Sequence, residues 1–347
     1  MESVRKRRLR YKGKHPRMFF EKYKELNPEK YAENLQKVLL RGQTPAGMHR
    51  SICVQEIITA LGLLPAKRGV DATLGFGGHA QEILSRIVPN GKLYGLDVDP
   101  IELPKTEKRL RDLGFSEDNF EACPINFAGI LSLLAKEPEG FDFVVADLGV
   151  SSMQIDNPLR GFSFKSEGPL DLRLNPNKGM SAAELLKSLD VKGLEKILSD
   201  NADEAEALRI AKSIKHSRIP VETTTGLAKV IHDSLKSVNP DVDKKRIQKT
   251  CQRVFQALRI AVNKEFIVLD EFLARAPRAL KPGGTIAILS FHSGEDNRVA
   301  KSFQEGFDNG IYSSFSAEPI RPTREEKFHN SRSKSAKLRI ATKTSCL

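Results

Sequence analysis

Along the chain the apolar positions alternate between two periods. Residues 52–61 and 79–87 repeat apolar side chains at helical spacing, whereas 69–73, 92–97 and 120–122 are short apolar stretches of strand length. The run at 141–147 is apolar almost throughout, as a parallel strand covered on both faces must be. Phe255, Leu258, Val262, Phe266, Leu269, Phe272 and Leu273 keep one helical stripe going through 254–280. Pro282-Gly283-Gly284 then turns the chain into 285–290, another buried strand, and 338–342 reads as a last strand at a sheet edge. Strands alternating with helices predict an α/β fold, a doubly wound Rossmann-like sheet.

The interval between the fourth and fifth strands is too long for a single crossover. Residues 181–189, 191–198, 202–215 and 225–238 are helical in pattern, which predicts an inserted helical subdomain at 157–250. The sheet domain then comprises 46–156 and 251–347, preceded by a basic N-terminal extension at 1–45. In that extension Asn27-Pro28 supplies an N-cap and a first-turn proline for a helix reaching about residue 40.

Charge sharpens this picture through its distribution. The 347-residue chain carries +12, of which 1–45 hold +8 and 320–347 hold +6, leaving −2 for the body between them. Basic ends around a nearly neutral body suit a polyanionic partner. No apolar run approaches the roughly 20 residues that cross a bilayer, and no apolar core follows the basic N-terminus, so a cytoplasmic protein without a membrane partner is expected. Cys53, Cys123, Cys251 and Cys346 are widely spaced and form no Cys-x-x-Cys pair. Reduced thiols and no metal site are therefore expected.

Four stretches carry chemistry. Asp71-Ala72-Thr73-Leu74-Gly75-Phe76-Gly77-Gly78-His79 follows a strand and opens a helix, where glycines let the backbone turn tightly beside a ligand. Asp97 ends the next strand, 20 residues after Gly77, where a carboxylate accepts from both hydroxyls of a ribose. The Gly-x-Gly-Gly order and the lack of a P-loop lysine tilt the site away from NAD and ATP. Asp147-Leu148-Gly149-Val150-Ser151-Ser152-Met153-Gln154 follows the fourth strand, and Ser290-Phe291-His292-Ser293 the fifth. Both face the same rim, with His292 open to binding substrate, handling a proton or a structural role.

These blocks, together with Arg160-Gly161-Phe162-Ser163-Phe164, Gly168-Pro169-Leu170-Asp171-Leu172-Arg173, 255–263, Glu295-Asp296 and 333–340, resemble the small-subunit ribosomal RNA methyltransferase H family, also called MraW. The resemblance runs in order across about 48–343. It implies a class I S-adenosylmethionine-dependent methyltransferase fold with an inserted helical domain. It also implies N4-methylation of a decoding-region cytidine in bacterial 16S rRNA, with the rRNA or the small ribosomal subunit as partner. The family's cofactor contacts fall here on Gly77, Gly78, His79, Asp97, Phe127, Asp147 and Gln154. Asp147 and His292 are the candidates for chemistry at the acceptor amine. Arg160, Arg173, Arg253 and Arg259 either hold phosphates or make surface ion pairs. Phe162 and Phe164 either stack on an extruded base or pack their own loop. Phe76 and the basic extension depart from the family pattern. Two other readings stay open: the same fold acting on DNA or another RNA, and a non-enzymatic RNA-binding assembly protein. Oligomeric state is left open.

Overall fold

The computed structural model describes residues 51–345; the extension at 1–45, its expected helix and Cys346 lie outside the described residues. Seven strands are defined: β1 (Arg68–Asp71), β2 (Lys92–Leu96), β3 (Phe120–Cys123), β4 (Phe141–Asp147), β5 (Leu280–Ser290), β6 (Tyr312–Phe315) and β7 (Lys337–Lys343). They form one sheet in the order β3-β2-β1-β4-β5-β7-β6. The first five are parallel, and β7 runs antiparallel to both β5 and β6. This is the strand order of a class I methyltransferase.

The expectation that 338–342 sits at an edge is corrected by this order. β7 lies between β5 and β6, and the edge belongs to Tyr312-Ser313-Ser314-Phe315. Both serines are exposed, so the strand carries no apolar run from which it could be read.

The helices are α1 (Val54–Leu61), α2 (Gly78–Ile87), α3 (Glu102–Asp112), α4 (Ser152–Asp156), α5 (Ala182–Ser188), α6 (Val191–Ala202), α7 (Ala207–Lys215), α8 (Thr224–Lys236), α9 (Lys244–Asn263), α10 (Glu265–Ala279), α11 (Ser293–Asp308) and α12 (Arg324–His329). The sheet is covered on both faces, and its central strands show why. Val144 and Ala146 of β4, with Ile286 and Ile288 of β5, pack against Phe272 and Ala276 of α10 and Val299 and Phe303 of α11. The intervening Phe143, Val145, Ala287 and Leu289 pack with Ile57 of α1, Ile83 of α2 and Leu110 of α3. The strand period of two thus serves two helical layers. Among the described residues no helix is long and apolar enough to cross a membrane.

A separate core joins Phe162, Leu170 and Leu172 to α5–α9, and it includes Val254, Phe255 and Leu258. The stripe through 254–280 is therefore two helices rather than one. Lys264, at φ 52°, ends α9 and begins α10. Asn263 fixes the break: its Oδ1 accepts from Leu174 N–H at 2.7 Å and its Nδ2 donates to the Leu172 carbonyl at 2.8 Å. The apolar spacing continues unbroken through this point, so only the tertiary bonds of Asn263 reveal that α9 faces one core and α10 another.

Candidate active site

β2, β1 and β4 are neighbours in a parallel sheet, so their carboxyl-terminal tips stand side by side. Asp71 ends β1, Asp147 ends β4, and Asp97 follows β2 directly. Backbone bonds lace the three tips together. Leu74 N–H donates to the Leu96 carbonyl at 2.8 Å, and Asp147 N–H donates to Thr73 Oγ1 at 2.6 Å. Gly75 N–H donates to Asp97 Oδ2 at 2.8 Å, and Asp99 N–H to Asp97 Oδ1 at 2.9 Å. Each Asp97 oxygen retains lone-pair capacity, because a carboxylate oxygen accepts more than one hydrogen bond.

Three carboxylates this close cannot all ionise freely. Burial pushes Asp71 up to about 6, with its neighbours Asp147 and Asp97 adding to the rise. Burial likewise raises Asp97. Asp147 is pushed up to about 7 by burial and by the charge of Glu295. Glu295 itself stays low: burial would raise it, but His292, Arg259 and the Phe291 N–H outweigh that cost. Asp147 is therefore a carboxyl that titrates in the neutral range. Its Oδ1 is shielded from solvent and has no hydrogen-bond partner.

The glycine-rich turn is tighter than a ligand alone would require. Gly77 sits at φ 73°, and a Cβ there would come within 2.9 Å of Thr106 Cγ2 on α3. A Cβ on Gly78 would meet Ser51 Oγ. Gly77 is thus demanded by its backbone conformation and by packing, whereas at Gly78 the clash is with a hydroxyl that can rotate away. The space beside Gly149 is open: its φ is 97°, and a Cβ there would have nothing within 4 Å. The residues fit an adenosine-bearing donor: a half-buried acid for a ribose, a glycine facing open space, and an unpartnered buried oxygen on the same rim.

His79 is buried on α2, with Nε2 3.0 Å from the Ile52 carbonyl and Nδ1 3.7 Å from Asp147 Oδ2. Gln154 is also buried. Its Oε1 accepts from Ser151 N–H at 2.9 Å in a capping box, and its Nε2 donates to Asp99 Oδ2 at 2.7 Å. Both ends of that amide are occupied within the protein. Phe127 is partly buried and meets Phe272 edge-on at 5.1 Å, so one side of its ring belongs to the core. His292 caps α11, with Nδ1 accepting from Glu295 N–H at 3.4 Å and Nε2 3.1 Å from Glu295 Oε1. This places it as the partner that keeps Glu295 ionised.

Of the residues expected at the RNA, Arg160 and Phe162 are buried, while Arg173, Arg253, Arg259 and Phe164 are partly exposed and engaged with protein partners. Arg160 donates to Asp99 Oδ2 at 2.7 Å, both side chains being nearly inaccessible. Arg173 forms a fork onto Asp171, Arg253 binds Glu204 at 2.6 Å, and Arg259 forks onto Glu265 at 2.9 Å. Phe162 lies in the helical core, and Phe164 packs on Phe255 at 5.5 Å. In this conformation each of the four arginines is paired to a carboxylate and both phenylalanines pack on the helical core; for the buried Arg160 that partner offsets the cost of burying its charge.

Sequence reading passed over Asp99. It is fully buried, takes Gln154 and Arg160 on Oδ2, takes Ile101 and Glu102 N–H on Oδ1, and presents its own N–H to Asp97. The Asp97-Val98-Asp99 spacing was the signal available. Cys53, Glu56 and Glu326 also bring ligand-type atoms within 4.8 Å of one another beside this rim. Burial, then Glu326 and Glu56, push the Cys53 thiol up to about 12.

The MraW methylase family model matches residues 46–344. The chain is 53% identical over 345 residues to a protein named ribosomal RNA small subunit methyltransferase H 2 from Alkaliphilus metalliredigens, covering 99% of each. It is 52% identical to one named methyltransferase H 1 from Lachnoclostridium phytofermentans, covering 99% of this chain and 94% of that protein. A relative from Prochlorococcus marinus subsp. pastoris is 39% identical, covering 84% of this chain and 95% of its own. Among solved structures, a putative rRNA methylase from Clostridium thermocellum aligns with TM-score 0.42 and 13% identity, over 85% of this chain and 98% of its own.

Proposed function

Because the chain belongs to the MraW methylase family, we propose that it is an S-adenosylmethionine-dependent rRNA methyltransferase whose acceptor is the N4 amine of a decoding-region cytidine in 16S rRNA, in the cytoplasm. The observation that carries the acceptor assignment is the unpartnered, shielded Oδ1 of Asp147, on the same rim as Asp97 with the tip of β1 between them.

S-adenosylmethionine supplies an electrophilic methyl group. The residues of this chain do the rest. Asp97 holds the ribose hydroxyls, and the open side of Gly149 leaves room along the backbone for the donor and the incoming base. An exocyclic cytosine amine is a poor nucleophile because its lone pair is delocalised into the ring. Asp147 accepts a hydrogen bond from that amine, which localises the lone pair and orients it along the transfer line. Only the ionised carboxylate does this well, and its position near neutrality sets the pH at which the acceptor side becomes competent. No strong base is needed, since the proton leaves an acidic product cation.

Mass spectrometry of 16S rRNA nucleosides from cells with and without the gene tests this reading. Loss of one N4-methylcytidine is the expected result. Labelled S-adenosylmethionine offered with small subunits, free rRNA or duplex DNA separates the alternatives. Label on DNA alone would overturn the RNA assignment, and calorimetry without donor binding would favour a non-enzymatic assembly protein.

A further inference from the structure

The expected arginines are paired to carboxylates and the expected phenylalanines pack on the helical core, and a different, unengaged group borders the same rim. α12 is tethered beside Asp147 from two sides. On one side Glu326 Oε1 accepts from Cys53 N–H at 3.0 Å, next to the Ile52 carbonyl that His79 holds. His79 in turn reaches Asp147. On the other side Arg332 pairs with Asp156 at 3.2 Å, tying the turn Ser331–Ser335 to α4, which leaves the Asp147 loop.

Between these tethers Phe328 is 85% exposed, and its ring contact is an edge-on one with the exposed His329 at 5.2 Å. Leu159, three residues past Asp156, is 75% exposed. Arg324 stands one helical turn before Phe328 on α12 and Lys334 in the turn that follows; both are exposed and make no ion pair among the described residues. The four arginines discussed above all have carboxylate partners; these two cations do not. A phenylalanine left in water contributes nothing to the core, while an aromatic face among unpaired cations is the composition of a single-stranded nucleic-acid platform.

We propose that Phe328 is a substrate-positioning residue whose ring stacks on an unpaired base adjoining the methylated nucleotide, with Arg324 and Lys334 on the neighbouring phosphates. The inference rests on the reading of this chain as an rRNA methyltransferase. It makes stacking on α12 the element that presents an extruded acceptor to Asp147, and it tolerates sequence, because every base has a π-face.

The test uses the full-length protein, labelled S-adenosylmethionine and small subunits or 16S rRNA, with RNA binding followed in parallel by fluorescence anisotropy. Phe328→Ala should raise KM for RNA about tenfold with kcat nearly unchanged, and weaken RNA binding equally. Phe328→Trp should restore both. Donor affinity by calorimetry and the melting temperature should not move, since the ring touches neither the donor site nor a core. Joint replacement of Arg324 and Lys334 by alanine should lower the salt dependence of RNA binding by about 1.4 in slope, roughly 0.7 for each phosphate no longer neutralised on a single strand. A silent Phe328→Ala in a wild-type background that methylates RNA would overturn the proposal alone. So would a parallel loss of melting temperature or donor affinity, or dissociation of a dimer on sedimentation, which would mean the face is covered by protein. If the wild type binds RNA through Phe328 but transfers no label, the enzymatic reading falls and the surface stands.

Discussion

Replacing Asp147 with asparagine should lower activity and add stability, with both effects following the same titration. The carboxyl rises from 3.8 to about 7 on folding, through burial and then the charge of Glu295. Between those values the folded protein binds more protons than the unfolded chain. Stability contributed by this group is therefore fully present at acid pH and is lost as pH rises through about 7. A rise of that size corresponds to at most about 4 kcal/mol. The side chain is 32% exposed, however, so solvent screening reduces the expected penalty to about 1–2 kcal/mol. Asparagine keeps the shape and cannot ionise. Urea unfolding should show the variant nearly equal to wild type at pH 4.5 and more stable by about 1–2 kcal/mol at pH 8.5. Asp71 titrates in both proteins, and losing the Asp147 charge relieves part of its rise, which adds to the stabilisation of the variant at high pH. Over the same range wild-type methyl transfer should rise through an apparent midpoint near 7, whereas the variant should show a flat profile, reduced about tenfold to a hundredfold by loss of a charged acceptor. A variant that is less stable at pH 8.5, or a stability gap independent of pH, would refute the reasoning.

Other consequences follow from the same rim. Asp97→Asn should weaken donor binding by about tenfold to a hundredfold in calorimetry, the usual worth of hydrogen bonds to a charged group, with little change in melting temperature. Arg160→Ala strips the partner from the buried Asp99 and should cost about 3–5 kcal/mol in urea unfolding, weakening donor binding as well because Asp99 orients Asp97. Gly77→Ala combines a strained φ of 73° with a clash at Thr106 and should cost about 1–3 kcal/mol, read from the denaturation midpoint. Phe162→Ala should lower stability by about 3–5 kcal/mol while leaving KM for RNA unchanged in the folded fraction; a selective rise in KM would restore its stacking role.

The parts of the fold that were legible in the sequence are those that a local pattern encodes. β4 at 141–147 and the strand that ends at Ser290 announce themselves because both faces are covered and nearly every position is apolar. The tips that carry Asp97 and Asp147 followed from the ends of such runs, and parallel pairing in the order β2-β1-β4 then put them on one rim with Asp71 between them. α3, with mostly polar surface, and β6, with two exposed serines, carry too few apolar positions to show a period. The break at Lys264 depends on bonds from Asn263 to residues about 90 positions away. The direction in which a side chain points was likewise beyond the sequence. An arginine or phenylalanine in a motif reads the same whether it meets RNA or a buried carboxylate, and only the folded chain decides which partner is in reach. That is why Arg160 and Phe162 went inward while Phe328, in a stretch with no pattern of its own, was left facing water.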